Sequence, residues 1–472
     1  MISYLKLKNF RSIIDAEINF SSTRLNVLVG ANGSGKSNLV RALDLIGEIQ
    51  KGDLSSAIAT QGGQRSIIPK AIPMKKINSV ETQIGYRLEL SRPDNYRENL
   101  SPPSASHEIS FRTRTRNIIT INKEIITFYQ PLAVAEALSR DNNLKKKVYK
   151  KWSRGRDSSL KFIRDIKNDI AIEAKPQFSE ANIGGYIHWF GFNFIENLGS
   201  QIEQKKDVLF LLNQIIKQSL MSSKKLGPSE TLLRFGRGLF SFSTHASIFR
   251  DFAQDIKRFD FNVEKLRSDQ QPTGEVQLGS LGENLPAAIR WLTKGEEQQI
   301  KWERVLLTLQ DITPYVYNVR NNLLRSGKEY IEFLETKSGR PVESWDASDG
   351  ALRSLAILIA LESHPVGQTL VIEEPERGLH PWAIRFLFNH IRDAIERRKI
   401  QVIITTHSPQ VLESVDPSEV FIINRSHNQG TKVVSVADTV SETVISPGDL
   451  GRLWVKGLIG GFPQDVEENA DN

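Results

Sequence analysis

Cysteine is missing altogether from the 472 residues, and methionine (3) and histidine (8) are sparse. Without a thiol the chain cannot form disulfides, thiolate-held zinc or iron–sulfur centres, or a cysteine nucleophile, and it fits a reducing compartment. Long apolar runs are missing too, since none approaches the ~18–20 residues that span a bilayer. The opening stretch, Met1-Ile-Ser-Tyr-Leu-Lys-Leu-Lys-Asn-Phe10, alternates apolar and polar residues. That is a strand pattern, not a basic stretch followed by an apolar signal core. A cytoplasmic protein without membrane contact is the expectation. No internal repeat and no heptad array is visible, and the middle region lacks long coiled-coil arms.

What is present suits a large folded protein. Hydrophobic residues make up 39% and charged residues 25%, ordinary values for a globular chain. The length predicts two or three structural units. Net charge is +7, and Asp141–Asn168 alone carries ten Lys/Arg against three Asp, an equal local excess. The run from Lys145 to Arg156, with Tyr149 and Trp152 inside it, can attract phosphate backbones such as DNA. A solvated helix face would have the same composition, and both readings stand.

Three textures follow one another. Residues 1–130 read as strands, turns and one helix, with strands expected at Ile2–Leu7, Leu25–Val29, Glu81–Leu90, Ile109–Thr115 and Ile118–Ile121. Ser91–Ser106, rich in Pro, Ser and Asn, reads as a loop. Residues 131–340 read as a mostly helical insertion, a lid or a partner- or DNA-binding element, with helices expected at Asp207–Leu220, Ala246–Phe259 and Leu285–Leu292. Residues 341–472 return to an α/β pattern. Gln368–Ile372 and Gln401–Thr405 are the short apolar runs of buried parallel strands, each preceded by a helical stretch, Leu352–Ser363 and Trp382–Arg398.

Four motifs carry chemistry. Gly30-Ala-Asn32-Gly33-Ser34-Gly35-Lys36-Ser37 matches the phosphate loop G-x-x-x-x-G-K-[ST], after an apolar run and before a helical segment beginning at Asn38. The glycines let backbone N–H groups face phosphate oxygens, and the helix N-terminus favours anions. Lys36 offers charge to the β- and γ-phosphates, and Ser37 offers a hydroxyl to Mg²⁺. The second motif is Leu370-Val-Ile-Glu373-Glu374-Pro375-Glu376, where two carboxylates emerge at the C-terminal end of a buried strand, the edge at which open α/β sheets place ligands. Glu373 is aimed at a metal and Glu374 at an attacking water; Glu376 has no comparable argument. The third is His407, at the end of Ile403-Ile-Thr-Thr406, where an imidazole can hydrogen-bond to a phosphate or orient a water. The fourth, Ser348-Asp349-Gly350 before a helix, reads by itself as a helix cap.

In this order the motifs resemble the ABC-type ATPases of the RecF, SMC and OLD group. The loop form G-x-N-G-x-G-K-S and the preceding Asn9-Phe10-Arg11-Ser12 are typical of that group. Glu373-Glu-Pro-Glu376, followed by Gly378-Leu-His380-Pro381, looks most like stand-alone OLD-like ATPases, as does the closing Leu450-Gly-Arg-Leu-Trp454. The resemblance covers residues 1–65 and 340–465. It implies an α/β, ABC-type P-loop ATPase head built from both chain ends. It further implies that Arg11 and the loop residues Asn32 to Asn38 bind ATP, that Ser37 and Glu373 hold Mg²⁺, and that Lys36, Glu374 and His407 carry catalysis. Ser348 and Gly350 would be the signature that reaches ATP on a second copy, making a homo-oligomer with shared sites. The chain departs from the pattern in three places. The Q-loop residue is either Gln61 or Gln64, and His380 stands where transporters have Asp. The metal-dependent nuclease domain of OLD proteins has no counterpart in the about 65 residues after His407, so no nuclease activity is expected. The resemblance implies an ATP-driven switch controlling a separate effector, such as a nuclease or toxin, in anti-phage defence or genome maintenance. The alternative is a RecF-like DNA-binding ATPase in repair.

Overall fold

The computed structural model describes residues 1–49, 53–89, 104–114, 118–129, 159–164, 170–175, 256–275, 277–335, 339–426, 430–439 and 448–460. The chain is an α/β protein of two compact units: Met1–Asn19 with Arg41–Asp255, and Phe20–Val40 with Ile256–Asn472. These units divide the chain near 20, 40 and 256.

The first unit is built on an antiparallel sheet of seven strands. In chain order they are β1 (Ile2–Phe10), β2 (Ile13–Asn19), β4 (Glu81–Glu89), β5 (Ser104–Arg114), β6 (Ile118–Tyr129), β7 (Ser159–Arg164) and β8 (Ile170–Lys175), arranged β2-β1-β4-β5-β6-β7-β8; β3 belongs to the other unit. Alternation in β1 puts Ile2, Leu5, Leu7 and Phe10 inside, as period-2 patterning requires. A buried polar chain crosses four of these strands. The Tyr86 hydroxyl donates to His107 Nδ1 (2.9 Å), and His107 Nε2–H donates to Glu124 Oε1 (2.8 Å). Arg164 Nη1 stands 3.9 Å from Glu124 Oε2. Partners crossing from strand to strand specify the register that a slip would destroy.

The second unit is built on a six-stranded sheet, ordered β16-β15-β3-β14-β13-β9. Its strands are β3 (Leu25–Val29), β9 (Ile256–Phe259), β13 (Thr369–Glu373), β14 (Gln401–Thr406), β15 (Val420–Ser426) and β16 (Gly430–Ser435). All neighbours are parallel except the β15–β16 hairpin. A small antiparallel sheet joins β10 (Asn318–Leu323), β11 (Glu329–Leu334) and β12 (Val342–Glu343). The main helices are α1 (Lys36–Ile49), α2 (Leu285–Leu292), α3 (Glu296–Ile312), α4 (Asp349–Ser363) and α5 (Pro381–Arg398). Helix α4 is buried from Ala351 to Glu362, as its apolar composition on every face demands.

Some sequence expectations are corrected. Ala246–Phe259 was expected as a helix, but Ile256–Phe259 is strand β9, because its backbone pairs with Thr369–Ile372 of β13. Ser104–Ser106, expected in a loop, begins β5 and pairs with Arg87–Glu89. Strands β7 and β8 lie in the stretch read as helical. The expected helix Asp207–Leu220 and the basic run Lys145–Arg156 lie outside the described residues.

Glu362 ties α4 to its neighbours. It is fully buried and accepts from Arg397, with His390 Nε2 at 3.5 Å and Arg304 Nη1 at 3.8 Å. Burial raises its pKa, but His390 and Arg397 outweigh burial and hold it at about 2. A folded pKa below the unfolded value stabilises above the unfolded pKa and loses that contribution as pH falls through the folded one. The protein should therefore lose on the order of 3 kcal/mol between about pH 4.5 and pH 2 through this group. Urea midpoints at pH 5 and pH 2.5 check this: Glu362→Gln should start less stable and show a shallower acid dependence.

Candidate functional site

Strand register assembles the site in the second unit. In the parallel pairing of β3, β14 and β13, Thr406 is level with Val29 and Thr405 with Glu373. The chain therefore leaves three neighbouring strands at one edge, into the phosphate loop, the His407 segment and the acidic pair. Backbone bonds thus close a separation of over 300 residues.

The loop from Gly30 to Ser37 is built for close backbone approach. Gly33 (φ +78°) and Gly35 (φ +113°) lie in the left-handed region that glycine enters freely. Gly30 is required for space: a Cβ there would sit 2.4 Å from Ile423 O and 2.5 Å from Ser34 Oγ. Thr431 Oγ1 donates to Ser34 O (2.9 Å), and Arg425 Nη1 donates to Gly33 O (3.3 Å). The β15–β16 hairpin thus braces the loop from behind. Lys36 is buried, and its Nζ donates to Gly30 O (2.6 Å) and Ala31 O (3.1 Å). Burial lowers its pKa, while Glu374, Glu376 and Glu373 oppose that shift. A desolvated cation at a glycine-rich helix N-terminus fits a polyphosphate. Ser37 is exposed in the first turn of α1, Asn32 and Gly33 are exposed, and Asn38 donates its N–H to Gly35 O (2.9 Å).

At the end of β13, Glu373 Oε1 accepts from Arg258 Nε at 2.5 Å. Glu374 has φ +45°, a left-handed backbone that costs a non-glycine residue about 1 kcal/mol, and its N–H donates to Thr405 O (2.9 Å). This turn presents the carboxylate to His407, whose Nδ1 is 3.2 Å from Oε1, and to Arg377, whose Nε is 3.5 Å from Oε2. Glu376 is buried, with Oε1 accepting from Thr406 Oγ1 (2.6 Å). Its pKa is raised by burial, against the Thr406 hydrogen bond.

Ser348 caps α4, its Oγ accepting from Ala351 N (3.2 Å), as the cap reading of the sequence expects. Gly350 has a second reason to be glycine, since a Cβ there would lie 2.5 Å from Gly378 O. The Ser348–Gly350 turn and the Gly378-Leu-His380 turn therefore touch backbone to backbone. His380 caps α5, with Nδ1 accepting from Trp382 N at 3.4 Å. A cleft of about 430 Å³ opens beside the two turns, with buried Arg353 in its wall.

The structure thus brings together Lys36, Glu373, Glu374 and His407 of the expected set. Arg11 and both Q-loop candidates stand in the first unit, where Arg11 Nη2 donates to Gln61 O (2.8 Å). Sequence reasoning missed Arg258, Arg425, Thr431 and the burial of Glu376, all placed by strand neighbours far away in sequence. Only Glu376 had a legible signal, as a third acid beside the pair. Among the described residues no group of three or more His, Asp or Glu forms a metal cage. The oxygen donors of Ser37 and Glu373 instead fit Mg²⁺, which typically takes one or two protein ligands plus phosphate and water. No helix among the described residues is long and apolar enough to cross a membrane.

A model of the family described as "AAA domain, putative AbiEii toxin, Type IV TA system" matches residues 25–159 and 201–413, well over half of the chain. No curated protein matches significantly. Similar solved structures include the SmcHead bound to the C-winged helix domain of ScpA, 12% identical over 93% of this chain and 99% of that one, TM-score 0.43. The SMC head domain from Thermotoga maritima is 12% identical over 92% and 98%, TM-score 0.36. The Smc head domain with a coiled coil and joint from Pyrococcus yayanosii is 11% identical over 97% and 99%, TM-score 0.42.

Proposed function

Because the chain belongs to the AAA-domain family described as putative AbiEii toxin, Type IV TA system, and so to nucleotide-hydrolysing domains, we propose that it is an ATP-binding and ATP-hydrolysing switch. It works as a homo-oligomer with shared sites and controls a separate effector protein. One observation carries the hydrolytic part: Lys36, Glu373, Glu374 and His407 meet at one edge of three adjacent parallel strands.

The residues divide the work by chemistry. Lys36 exchanges its loop carbonyls for the β- and γ-phosphates, and the loop from Asn32 to Asn38 cradles the rest. Ser37 and Glu373 would hold Mg²⁺, which would neutralise phosphate charge. Glu374 orients a water and accepts its proton as the water oxygen attacks the γ-phosphorus and ADP leaves. His407, fixed beside Glu374, donates to the γ-phosphate. Ser348 and Gly350 contact the nucleotide of a second copy, so loss of the γ-phosphate loosens the pair. The family's description, a putative toxin of a type IV toxin–antitoxin system, supports a bacterial defence setting with a partner chain.

Purified protein should release phosphate from ATP in the presence of Mg²⁺. Lys36→Ala should weaken ATP binding about 10- to 100-fold, the worth of a charged hydrogen bond, measured by fluorescence of a labelled nucleotide. Unchanged binding in Lys36→Ala would remove the nucleotide reading of this loop.

A further inference from the structure

Glu376 lies outside every role assigned above, yet it is the most deeply placed carboxylate near the site. It is 8% exposed, and its Oε2 is buried with no hydrogen-bond partner among the described residues. A lone buried carboxylate oxygen is costly, and such groups in a native fold call for an explanation. The other oxygen supplies it. Glu376 Oε1 accepts from Thr406 Oγ1 at 2.6 Å, and Thr406 Oγ1 in turn accepts from Ser408 N at 2.9 Å. These two bonds bracket His407 in the chain. The hydroxyl of a fully buried threonine thus links the segment after β13 to the segment after β14. The two ends of the link carry Glu374 and His407, which meet at 3.2 Å.

Backbone pairing stops short of these residues. The β13–β14 register ends at Glu373 and Thr405, with one further bond from Glu374 N to Thr405 O. Beyond that point His407 is half exposed. Among the described residues, the Glu376–Thr406–Ser408 link is the side-chain bridge between the two segments that brackets His407. A threonine hydroxyl has one proton, so its bond to Glu376 forces its lone pairs toward Ser408 N. The carboxylate therefore sets the direction of the whole link.

We propose that Glu376 and Thr406 are positioning residues that hold His407 against Glu374 for hydrolysis, a role resting on the ATPase reading above. Their effect falls on turnover and not on nucleotide binding.

The test is steady-state ATP hydrolysis by the full chain, with nucleotide binding measured separately. Thr406→Val keeps the shape and removes the hydroxyl, and should lower kcat about 10-fold, as loss of an orienting partner does, with ATP affinity unchanged. Thr406→Ser keeps the hydroxyl and should restore turnover to within about 3-fold of wild type. In a His407→Ala background Thr406→Val should add almost nothing, since both remove the same interaction. Glu376→Gln, which keeps an acceptor for Thr406, provides a second folded variant and should fall between the two threonine variants. Equal losses for valine and serine, or losses that multiply in the double variant, would overturn the proposal. Wild-type protein without turnover would overturn the ATPase reading and this inference together. Wild-type turnover with an unaffected Thr406→Val would overturn this inference alone.

Discussion

Glu374→Gln protein is expected to bind ATP normally, to hydrolyse it about 100- to 10,000-fold more slowly, the usual worth of a positioned general base, and to accumulate as an ATP-bound assembly. The amide is close in shape to the carboxylate, so the left-handed turn at φ +45° and the bond from its N–H to Thr405 O remain. What disappears is the negative charge that accepts a proton. The Lys36 ammonium also loses one of its three neighbouring carboxylates, which does not weaken its attraction for phosphate. Binding and turnover should separate cleanly. Light scattering with ATP and Mg²⁺ should show at least twice the 53.3 kDa chain mass, and without nucleotide a smaller species. Hydrolysis by Glu374→Gln within about 3-fold of wild type, where a positioned base contributes at least about 100-fold, would remove Glu374 from the base role. An unchanged mass would argue against nucleotide-driven association.

The second large effect is expected on mixing two dead proteins. Lys36→Ala lacks a working phosphate loop but keeps the signature turn. Ser348→Arg keeps the loop but fills the turn with a bulky cation. Alone, each should hydrolyse almost nothing. In a symmetric pair with shared sites, random pairing makes half of the dimers mixed, and each mixed dimer has one intact site. Turnover should then recover to about a quarter of wild type if the two sites act independently. Ser348 also caps α4 through Ala351 N, so Ser348→Arg loses about 1 kcal/mol of cap energy, a modest sum for a helix buried along most of its length. Gly350→Ala would be a poor substitute, because its Cβ would meet Gly378 O at 2.5 Å and distort the chain's own backbone. No recovery on mixing, with both variants folded and Ser348→Arg binding ATP, would mean that each copy hydrolyses by itself.

What the sequence by itself determined is local. The glycines, Lys36 and Ser37 between a strand and a helix define a phosphate loop, because only that backbone path and that helix end make an anion cradle. The apolar runs before Glu373 and His407 define buried strands, because no other element of that length is apolar on both faces. Gly33 and Gly35 need left-handed backbone, which the spacing already implied.

Only the tertiary structure decided which strands are neighbours. That β14 lies between β3 and β13 follows from packing across hundreds of residues, and it is this order that sets Thr406 level with Val29 and Thr405 with Glu373. Ile256–Phe259 has apolar residues at spacing three, which suits a helix, yet the open edge of β13 claims it as a strand. Gly30 and Gly350 are glycine because Ile423 O and Gly378 O come close, contacts that no local pattern encodes. Glu376 carried no argument of its own beside the functional pair. Its burial against Thr406 arises from the same juxtaposition of β13 and β14. Backbone conformation is written in adjacent residues, whereas proximity between distant segments is fixed only when the whole core packs.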